Sequence, residues 1–349
     1  MSWLANDGLL EYTTAKQKLN KYKKIEMYDL DSTLIDTKSG KRFPIDKNDW
    51  QFNEGVLKCF KILSNSTLII IITNQQKVNN DITISEFKSK IESIVKKIDH
   101  DTIVYVAYGN SIYRKPSPKI WNEYLKNEIT TDNVFYCGDA CGRNSDFADT
   151  DLKFSKNIAI SFKTPENRFL QQEQEELNIT YPQLHKIKTC DYKFKQKNKD
   201  FLILVGLPAS GKTTFSKNYL QDYLIINQDT LKTKAKCLKQ TKEAIKNNIK
   251  KIAIDNTNVT KKSRNIYLEL VKDNNYNIRC IIFDTPYDIC QHNNYFRYIE
   301  HNKSLISKIT YRTMMKYYEK PSKDEGFEKI YKFKPRLHNP PESYFIYYY

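Results

Sequence analysis

Residues 202–214 read Leu-Ile-Leu-Val-Gly-Leu-Pro-Ala-Ser-Gly-Lys-Thr-Thr, an apolar run that passes directly into a glycine-rich turn. From residue 206 to residue 213 the spacing is G-x-x-x-x-G-K-T, the pattern of a phosphate-binding loop (P-loop) between a strand and a helix. In such a loop, backbone N–H groups surround the phosphates, the lysine contacts the transferred group and the threonine hydroxyl binds Mg²⁺. The pattern predicts a nucleoside triphosphate site formed by Gly206, Leu207, Pro208, Ala209, Ser210, Gly211, Lys212, Thr213 and Thr214.

The length and charge of the chain indicate its broad class. A chain of 349 residues is too long for one ordinary core, which predicts two domains. Its 57 Lys and Arg residues against 41 Asp and Glu residues give a net charge of +16, which favours a polyanionic partner such as nucleic acid. The alternative is a compositional bias toward lysine without a functional meaning.

Cysteine usage and hydropathy predict the cellular environment. The seven cysteines are scattered and form no C-x-x-C pair, which favours a reducing compartment and argues against a disulfide framework or a zinc site. The start of the chain shows no apolar signal segment, and the longest apolar run, residues 68–72, is far too short to span a bilayer. We therefore expect a soluble, intracellular monomer without a membrane partner, and the sequence fits nucleus and cytoplasm equally.

The first half of the chain contains apolar runs that predict strands, and polar residues follow each of them. The runs and their polar residues are 25–28 with Asp29 and Asp31, 67–72 with Thr73, and 133–137 with Asp139, while Lys115 precedes a helical pattern. Strands that alternate with helices predict a parallel, doubly wound sheet, at whose carboxyl edge these side chains meet. Taken singly, each residue has a structural alternative: a solvated acidic turn, a helix cap or a surface lysine.

This ordered set of residues resembles the haloacid-dehalogenase-like (HAD-like) phosphatases. The resemblance implies that Asp29 is the nucleophile that forms an aspartyl phosphate, and that Asp31 is the general acid and then the general base. It implies that Thr73 binds the phosphate and that Lys115 neutralises its charge. The Mg²⁺ ligands implied in this half are Asp29, Asp31, Asp139 and, as a second candidate for the metal shell, Asp146.

A longer stretch of sequence resembles one particular family of these phosphatases. Residues 146–166, which follow a Gly-Asp-Ala-Cys-Gly-Arg segment, are similar to the phosphatase half of the polynucleotide kinase 3′-phosphatases. Trp3, Trp50 and the Ser-Gly-Lys-x-Phe-Pro pattern of residues 39–44 fit the same family. Ser32 departs from it, since the family usually has glycine there. Because Ser32 is not a ligand, we expect activity to survive.

The second half carries the residues of a kinase. A strand predicted to end near Asp229 stands where polynucleotide kinases have Asn-Arg-Asp-Thr-Leu, so the resemblance implies that Asp229 is the general base for a 5′-hydroxyl. Gln228 replaces the usual arginine of that segment, and a helix N-cap is the structural alternative for Asp229. Asp255 is placed like a Walker B carboxylate, and the resemblance implies that it holds Mg²⁺ together with Thr213.

A further segment resembles the lid of the same kinases. Residues 291–297 read Gln-His-Asn-Asn-Tyr-Phe-Arg, and the resemblance implies that Arg297 contacts the transition-state charge on the γ-phosphoryl group. The family normally has a second arginine at the position of Tyr295.

These observations predict an α/β protein with two doubly wound parallel-sheet domains. We expect a HAD-like 3′-phosphatase over residues 1–166, a linker over 167–200 with a helix near 169–177, and a P-loop polynucleotide 5′-kinase over 201–349. No room remains before Asp29 for the forkhead-associated domain of the animal enzymes, so we expect that recruitment mode to be absent.

The resemblance implies a bifunctional nucleic-acid end-healing enzyme. It would remove 3′-phosphates through an aspartyl phosphate and phosphorylate 5′-hydroxyl ends with ATP and Mg²⁺, preparing DNA strand breaks for ligation. DNA ends are the expected partner, with RNA ends as the alternative. A fusion of a small-molecule phosphatase with a small-molecule kinase is disfavoured by the net charge of +16, and a binding protein with inactive sites by the presence of the catalytic residues.

Overall fold

The computed structural model describes residues 2–129, 134–179 and 181–346. The chain divides into two compact units, of which the first extends to Tyr181 and the second begins at Pro182. This division falls inside the segment 167–200 for which the sequence predicts a linker. Within the described residues, we find no helix with the length and apolar character needed to cross a membrane.

The first unit contains a central sheet, a small ribbon and helices on both sides of the sheet. Its strands are β1 (Ser2–Asn6), β2 (Leu9–Thr13), β3 (Lys24–Tyr28), β4 (Ile35–Asp36), β5 (Gln51–Phe52), β6 (Thr67–Gln75), β7 (Thr102–Tyr108), β8 (Val134–Cys137) and β9 (Ser161–Lys163). Its helices are α1 (Val56–Lys61), α2 (Asp81–Ile98), α3 (Thr150–Asn157) and α4 (Pro165–Leu170), with a π-helical segment over Trp121–Leu125.

The order of strands in the described part of this sheet is β1-β2-β7-β6-β3-β8-β9. Strands β7, β6, β3, β8 and β9 run parallel to one another, as the alternation of strands and helices predicts. The hairpin β1–β2 joins this sheet antiparallel to β7. Sequence analysis did not assign these two strands, because each has only five residues within a stretch of mixed polarity and β1 is largely exposed.

Both faces of the sheet are covered, which follows from the sequence of β6. Because successive side chains of a strand alternate between faces, Ile69 and Ile71 enter one core while Ile70 and Ile72 enter the other. A continuous apolar run is therefore needed in a strand that is buried on both sides. This arrangement leaves the ends of the strands as the place where polar side chains can gather.

The predicted helix over 169–177 is wrong. Helix α4 ends at Leu170, where Gln171 takes a left-handed φ of 58°, and residues 171–179 contain no helix. Helix α4 is stabilised at both of its ends: the Thr164 side chain caps its start, and Phe169, near its end, is buried in the core of the unit. The residues after Leu170 are mostly exposed and polar, so no buried face stabilises a longer helix.

The second unit is built on a parallel sheet. Its strands are β10 (Asp200–Val205), β11 (Leu224–Ile226), β12 (Lys251–Asp255), β13 (Asn277–Phe283) and β14 (Lys329–Phe333). Its helices are α5 (Lys212–Tyr219), α6 (Gln228–Leu231), α7 (Lys234–Lys246), α8 (Lys261–Val271), α9 (Tyr287–His301), α10 (Lys308–Lys316) and α11 (Ser343–Ile346). The strand order among the described residues is β11-β12-β10-β13-β14, and all of these pairs are parallel.

The central strand of this sheet is β10, which leads into the P-loop. Its residues Leu202 and Leu204 enter one core, whereas Ile203 and Val205 enter the other. Edge strand β14 was not assigned from the sequence, because its lysines and its partly exposed apolar residues do not produce a buried run. The strong burial of β10 fixes the position at which the P-loop begins.

Two candidate active sites

Three carboxylates gather at the carboxyl edge of the first sheet. Asp29 directly follows β3 and Asp139 follows β8, and these two strands are parallel neighbours. Asp151 reaches the same place from the first turn of α3. One oxygen from each of the three residues lies within 4.8 Å of the others. The topology, rather than the spacing along the chain, therefore creates this acidic group.

A buried lysine sits within the acidic group. The Nζ atom of Lys115 lies 2.5 Å from Oδ1 of Asp29 and 2.7 Å from Oδ1 of Asp151. It also donates to the hydroxyl of Tyr136 at 2.7 Å. Burial lowers the pKa of Lys115, but the charges of Asp151 and Asp29 more than offset burial, and the pKa is raised. Lys115 is thus charged at neutral pH.

The acidic group has more negative charge than Lys115 can neutralise. Burial raises the pKa of Asp29 well above its usual range, against the attraction of Lys115. Burial, followed by the charge of Asp151, also raises the pKa of Asp139 to about 6. Oxygen donors that repel one another in this way match the preference of Mg²⁺ for hard carboxylate ligands. The residues present therefore fit a bound magnesium ion.

Thr33 follows Asp29 and Asp31 in the sequence, and its hydrogen bonds give a reason for a threonine at this position. Its hydroxyl donates to Oδ1 of Asp139 at 3.1 Å and accepts from the backbone N–H of Asp139 at 3.0 Å. The Thr33 side chain is fully buried, so this pair of hydrogen bonds orients Asp139 toward the acidic group. Thr33 thus links the loop after β3 to the loop after β8.

Asp31 lies apart from the three carboxylates. Its side chain is 49% exposed, and Lys90 of α2 lies 3.4 Å from its Oδ1 atom. The side-chain amide of Gln75 donates to Asp31 at 2.5 Å and to the hydroxyl of Thr73 at 2.8 Å. One amide therefore joins the predicted general acid to the predicted phosphate ligand. The exposure of Asp31 leaves room for a substrate beside it.

Asp146, which the resemblance offers as a second candidate for the metal shell, does not belong to the group of three carboxylates in the described structure. The carboxylate of Asp146 accepts from Nε of Arg143 at 2.9 Å and from the backbone N–H of Cys141 at 3.1 Å, so these groups hold it outside the acidic group. Asp151, which sequence analysis did not single out, is the third member of the acidic group. Asp151 lies in the first turn of α3, and its burial together with Phe154 and Ser155 is a property of the fold that the sequence alone does not show.

Two backbone positions shape the loops around Asp29 and Asp139. A Cβ atom added to Gly138 would lie 2.4 Å from Oδ2 of Asp151, so a side chain at this position would displace that carboxylate. Ser32 takes a left-handed φ of 59°, and its N–H donates to the carbonyl of Ile35 at 2.7 Å. The positive φ gives a physical reason for the usual glycine at this position, since L side chains disfavour the left-handed region.

The P-loop of the second unit connects β10 to α5 and holds a buried lysine. The Nζ atom of Lys212 donates to the carbonyls of Gly206 at 2.9 Å and Leu207 at 2.7 Å, and to the hydroxyl of Ser210 at 3.3 Å. Burial lowers the pKa of Lys212 to about 8, with only partial compensation from Asp255. These partners are neutral, so Lys212 lacks the adjacent carboxylates that Lys115 has.

Asp255 and Thr213 form the second place that fits a metal ion. The Thr213 hydroxyl donates to Oδ2 of Asp255 at 3.0 Å, and the other oxygen, Oδ1, is buried without a hydrogen-bond partner among the described residues. Burial raises the pKa of Asp255. A buried carboxylate oxygen with an open coordination position, next to a threonine hydroxyl, matches a P-loop magnesium site.

Asp229 stands at the same site, but it is not the helix cap. The Asn227 side chain accepts from the backbone N–H groups of Asp229 at 2.7 Å and of Thr230 at 3.4 Å, so Asn227 is the N-cap of α6. The alternative interpretation of Asp229 as a cap is therefore wrong. After burial, which has the largest effect, the charge of Asp229 is one of the influences on the pKa of both Lys212 and Asp255.

Arg297 extends from α9 and has an unused donor. Its Nη2 atom lies 3.4 Å from Oδ1 of Asn294, and its buried Nε atom has no hydrogen-bond partner among the described residues. The charge of Arg297 lowers the pKa of Lys212 further, after the larger effect of burial, which places the guanidinium near the P-loop lysine. The two cations repel each other unless an anion lies between them.

Comparison with known proteins assigns both sites to described families. Residues 24–169 match the family described as polynucleotide kinase 3 phosphatase, and residues 201–321 match the AAA domain family. A bifunctional polynucleotide phosphatase/kinase of Schizosaccharomyces pombe is 35% identical over 344 residues, covering 95% of this chain and 84% of that protein. An Acanthamoeba polyphaga mimivirus protein named for the same two activities is 33% identical over 382 residues, covering 95% of this chain and 89% of its own.

Proposed function

This chain belongs to the family of bifunctional polynucleotide phosphatase/kinases, and we propose that its two sites divide the family's two activities between them. Enzymes of this kind heal nucleic-acid ends: they remove a 3′-phosphate and add a phosphate to a 5′-hydroxyl. The Asp29 site is the proposed phosphatase, and the P-loop site is the proposed kinase. The observation that carries this division is that each unit has its own buried lysine and its own oxygen ligands.

The proposed phosphatase reaction proceeds through a covalent intermediate. A carboxylate oxygen of Asp29 attacks the phosphorus, and the bond from phosphorus to the 3′-oxygen breaks as Asp31 donates a proton to that oxygen. Asp31 then takes a proton from water, which attacks the phosphorus and releases inorganic phosphate and Asp29. Lys115 and Thr73 neutralise and bind the phosphoryl oxygens. Asp29 and Asp139 would hold Mg²⁺, which would supply further charge neutralisation.

The proposed kinase reaction is a direct transfer from ATP. Asp229 accepts the proton of the 5′-hydroxyl, the 5′-oxygen attacks the γ-phosphorus, and ADP leaves. Lys212 and Arg297 neutralise the charge that develops on the transferred group and on ADP. Thr213 and Asp255 would hold Mg²⁺, which would supply further charge neutralisation for the triphosphate.

We propose DNA ends as the substrate of both sites. The net charge of +16 supports a polyanionic substrate, because attraction to phosphates supplies much of the affinity for nucleic acid. Both reactions act on opposite sides of the same strand break and leave a 3′-hydroxyl and a 5′-phosphate. A ligase requires these two groups, so ligation is the reaction class that would use the product.

The test uses a labelled oligonucleotide with a 3′-phosphate and a 5′-hydroxyl, in the presence of ATP and Mg²⁺. Asp29→Asn should abolish phosphate release and leave phosphorylation intact, whereas Lys212→Ala should do the reverse. Each variant is thereby the control for the folding of the other unit. Loss of both reactions in one variant would contradict the division. DNA and RNA versions of the oligonucleotide are assayed side by side, and faster turnover of RNA would overturn the choice of DNA.

A further inference from the structure

Three consecutive carbonyl groups of the P-loop are bound by side chains from outside the loop. The Pro208 carbonyl accepts from the Tyr311 hydroxyl at 3.1 Å. The Ala209 carbonyl accepts from the Asn293 amide at 2.9 Å, and the Ser210 carbonyl accepts from the Thr285 hydroxyl at 2.8 Å. The three donors lie on α10, on α9 and in the turn between β13 and α9, respectively. The shape of the P-loop is thus coupled to the segment that carries Arg297.

The central residue of this set is in an unfavourable conformation. Ala209 has a φ of 56°, in the left-handed region that residues with a Cβ atom rarely adopt. A strained backbone of this kind persists only where its surroundings hold it. The hydrogen bond from Asn293 to the carbonyl of Ala209 is positioned to do so.

Asn293 is itself fixed by the carboxyl-terminal helix. The hydroxyl of Tyr344, in α11, donates to Oδ1 of Asn293 at 2.6 Å. Tyr344 is buried, and its ring packs edge-on against His292 and Phe296 of α9, with centroid distances of 4.7 Å and 5.1 Å. With Oδ1 accepting from Tyr344, Nδ2 is the atom left to donate to Ala209. The Ala209 carbonyl can only accept, so it requires Nδ2 on its side, and the Tyr344 hydroxyl holds Oδ1 in that orientation.

We propose that Asn293 is a positioning residue of the kinase site. Tyr344 holds the Asn293 amide, and the amide keeps the P-loop and Arg297 in fixed positions relative to each other. Asn293 and Arg297 lie four residues apart on α9, hence on the same face of the helix, one turn from each other. The inference rests on the proposed kinase function. It assigns the carboxyl-terminal helix a role in phosphoryl transfer, although α11 supplies no group that touches ATP in this proposal.

The first experiment measures kinase kinetics for Asn293→Asp and Tyr344→Phe, with the phosphatase activity of the same samples as an internal control. Asn293→Asp keeps the shape of the side chain but directs an oxygen at the Ala209 carbonyl, so we expect kcat/KM for phosphorylation to fall by at least about tenfold. Tyr344→Phe should lower it by about threefold to tenfold, because one hydrogen bond is lost. Asn247→Asp and Tyr317→Phe, at exposed positions of the same unit, are the matched controls.

The second experiment separates positioning from general stability. In a double-mutant cycle with Arg297→Ala, the added effect of Asn293→Ala on kcat should be much smaller than its effect on the wild type, because both act on one arrangement. In the Asn293→Ala background, Ala209→Gly should restore part of the lost activity, since glycine adopts a positive φ without strain. A variant that merely weakened the fold would act additively with Arg297→Ala, and its rescue by Ala209→Gly would follow a gain in melting temperature.

Clear outcomes overturn the proposal. The hydrogen-bond chain from Tyr344 through Asn293 to Ala209 is called the relay below. If Asn293→Asp and Tyr344→Phe keep kinase kcat/KM within about twofold of the wild type, the relay has no positioning role. If Asn293→Ala and Arg297→Ala act additively, the coupling between the P-loop and Arg297 is wrong. If the wild-type chain does not phosphorylate any 5′-hydroxyl, the proposed kinase function is wrong. Calorimetric titration with ATP then still tests the relay, which predicts weaker ATP binding by Asn293→Asp than by Asn247→Asp.

Discussion

The two units each bury a lysine near the carboxyl ends of parallel strands, but the two lysines have opposite electrostatic surroundings. Lys115 lies between Asp29 and Asp151, and its pKa is raised although burial lowers it. Lys212 has carbonyl and hydroxyl partners from its own loop, and burial lowers its pKa to about 8. The same side chain is therefore charge-compensated in the first unit and largely uncompensated in the second.

The difference follows from where the negative charge of each proposed reaction resides. A phosphatase that uses an aspartyl phosphate carries its nucleophile in the protein, so the lysine has carboxylate neighbours before substrate arrives. In a kinase of the P-loop type the negative charge comes with the triphosphate. The charges of the first site thus come from side chains, whereas in the second site Lys212 has only neutral partners and would be balanced by the proposed triphosphate.

The largest expected effect compares Lys115→Met with Lys212→Met. We expect Lys115→Met to destabilise the first unit by about 3 kcal/mol or more, because it leaves buried carboxylates without their cation. Lys212→Met should change the stability of the second unit much less, since it removes a buried charge whose hydrogen-bond partners are all neutral. Each variant should abolish the activity of its own unit.

Urea unfolding measures the first effect, because all 3 tryptophans of the chain, Trp3, Trp50 and Trp121, lie in the first unit, so their fluorescence reports on that unit. Calorimetry measures the second. Equal destabilisation by the two substitutions would contradict the comparison between the lysines.

A smaller effect is expected for Gly138→Ala in the proposed phosphatase site. The new Cβ atom would lie 2.4 Å from an Asp151 oxygen, so Asp151 must move away from Lys115. We expect a loss of about 1–3 kcal/mol in the stability of the first unit, as for other overpacked positions. Phosphate release should fall while 5′-phosphorylation stays constant, as measured on one doubly labelled oligonucleotide. Unchanged phosphate release would argue against a role for Asp151.

The pH dependence of ATP binding tests the uncompensated state of Lys212. Since its pKa is about 8 in the free protein, Lys212 loses its proton as the pH rises above 8, and ATP binding must then be accompanied by proton uptake. The affinity for ATP should therefore fall above pH 8, by at most about tenfold per pH unit. Calorimetric titration at pH 9 in buffers of different ionisation enthalpy measures the proton uptake. An affinity that stays constant from pH 7 to pH 9 would contradict the lowered pKa.

The smallest expected effect is that of Ser32→Gly. Ser32 has a φ of 59°, so glycine removes local strain but also adds freedom to the unfolded chain. We expect a stability change within about 1 kcal/mol and a phosphatase activity close to that of the wild type. Tryptophan-monitored urea unfolding and phosphate release measure the two quantities. A large loss of activity would mean that the Ser32 side chain takes part in the site.

Much of the fold and of both sites could be predicted from the sequence, because they depend on short-range patterns. Buried strands such as β6 and β10 are continuous apolar runs, and the P-loop is a contiguous motif. The family resemblance supplied Asp29, Lys115 and Asp229 as candidates. Their catalytic roles stay predictions, which the variants proposed above test.

Three features could be recognised only in the tertiary structure. They are the presence of Asp151 rather than Asp146 in the acidic group, the hairpin β1–β2, and the Tyr344–Asn293–Ala209 relay. Asp146 and Asp151 lie in one acidic stretch, and only the burial of α3 against the sheet shows which carboxylate reaches Lys115. In the relay, Tyr344 and Ala209 are 135 positions apart in numbering, and nothing in either local sequence indicates the contact. Local sequence determines strands, loops and the chemistry available at their ends. Which side chains meet is decided by the folding of distant segments against one another, because hydrogen bonds and ion pairs act over a few ångströms in space regardless of separation along the chain.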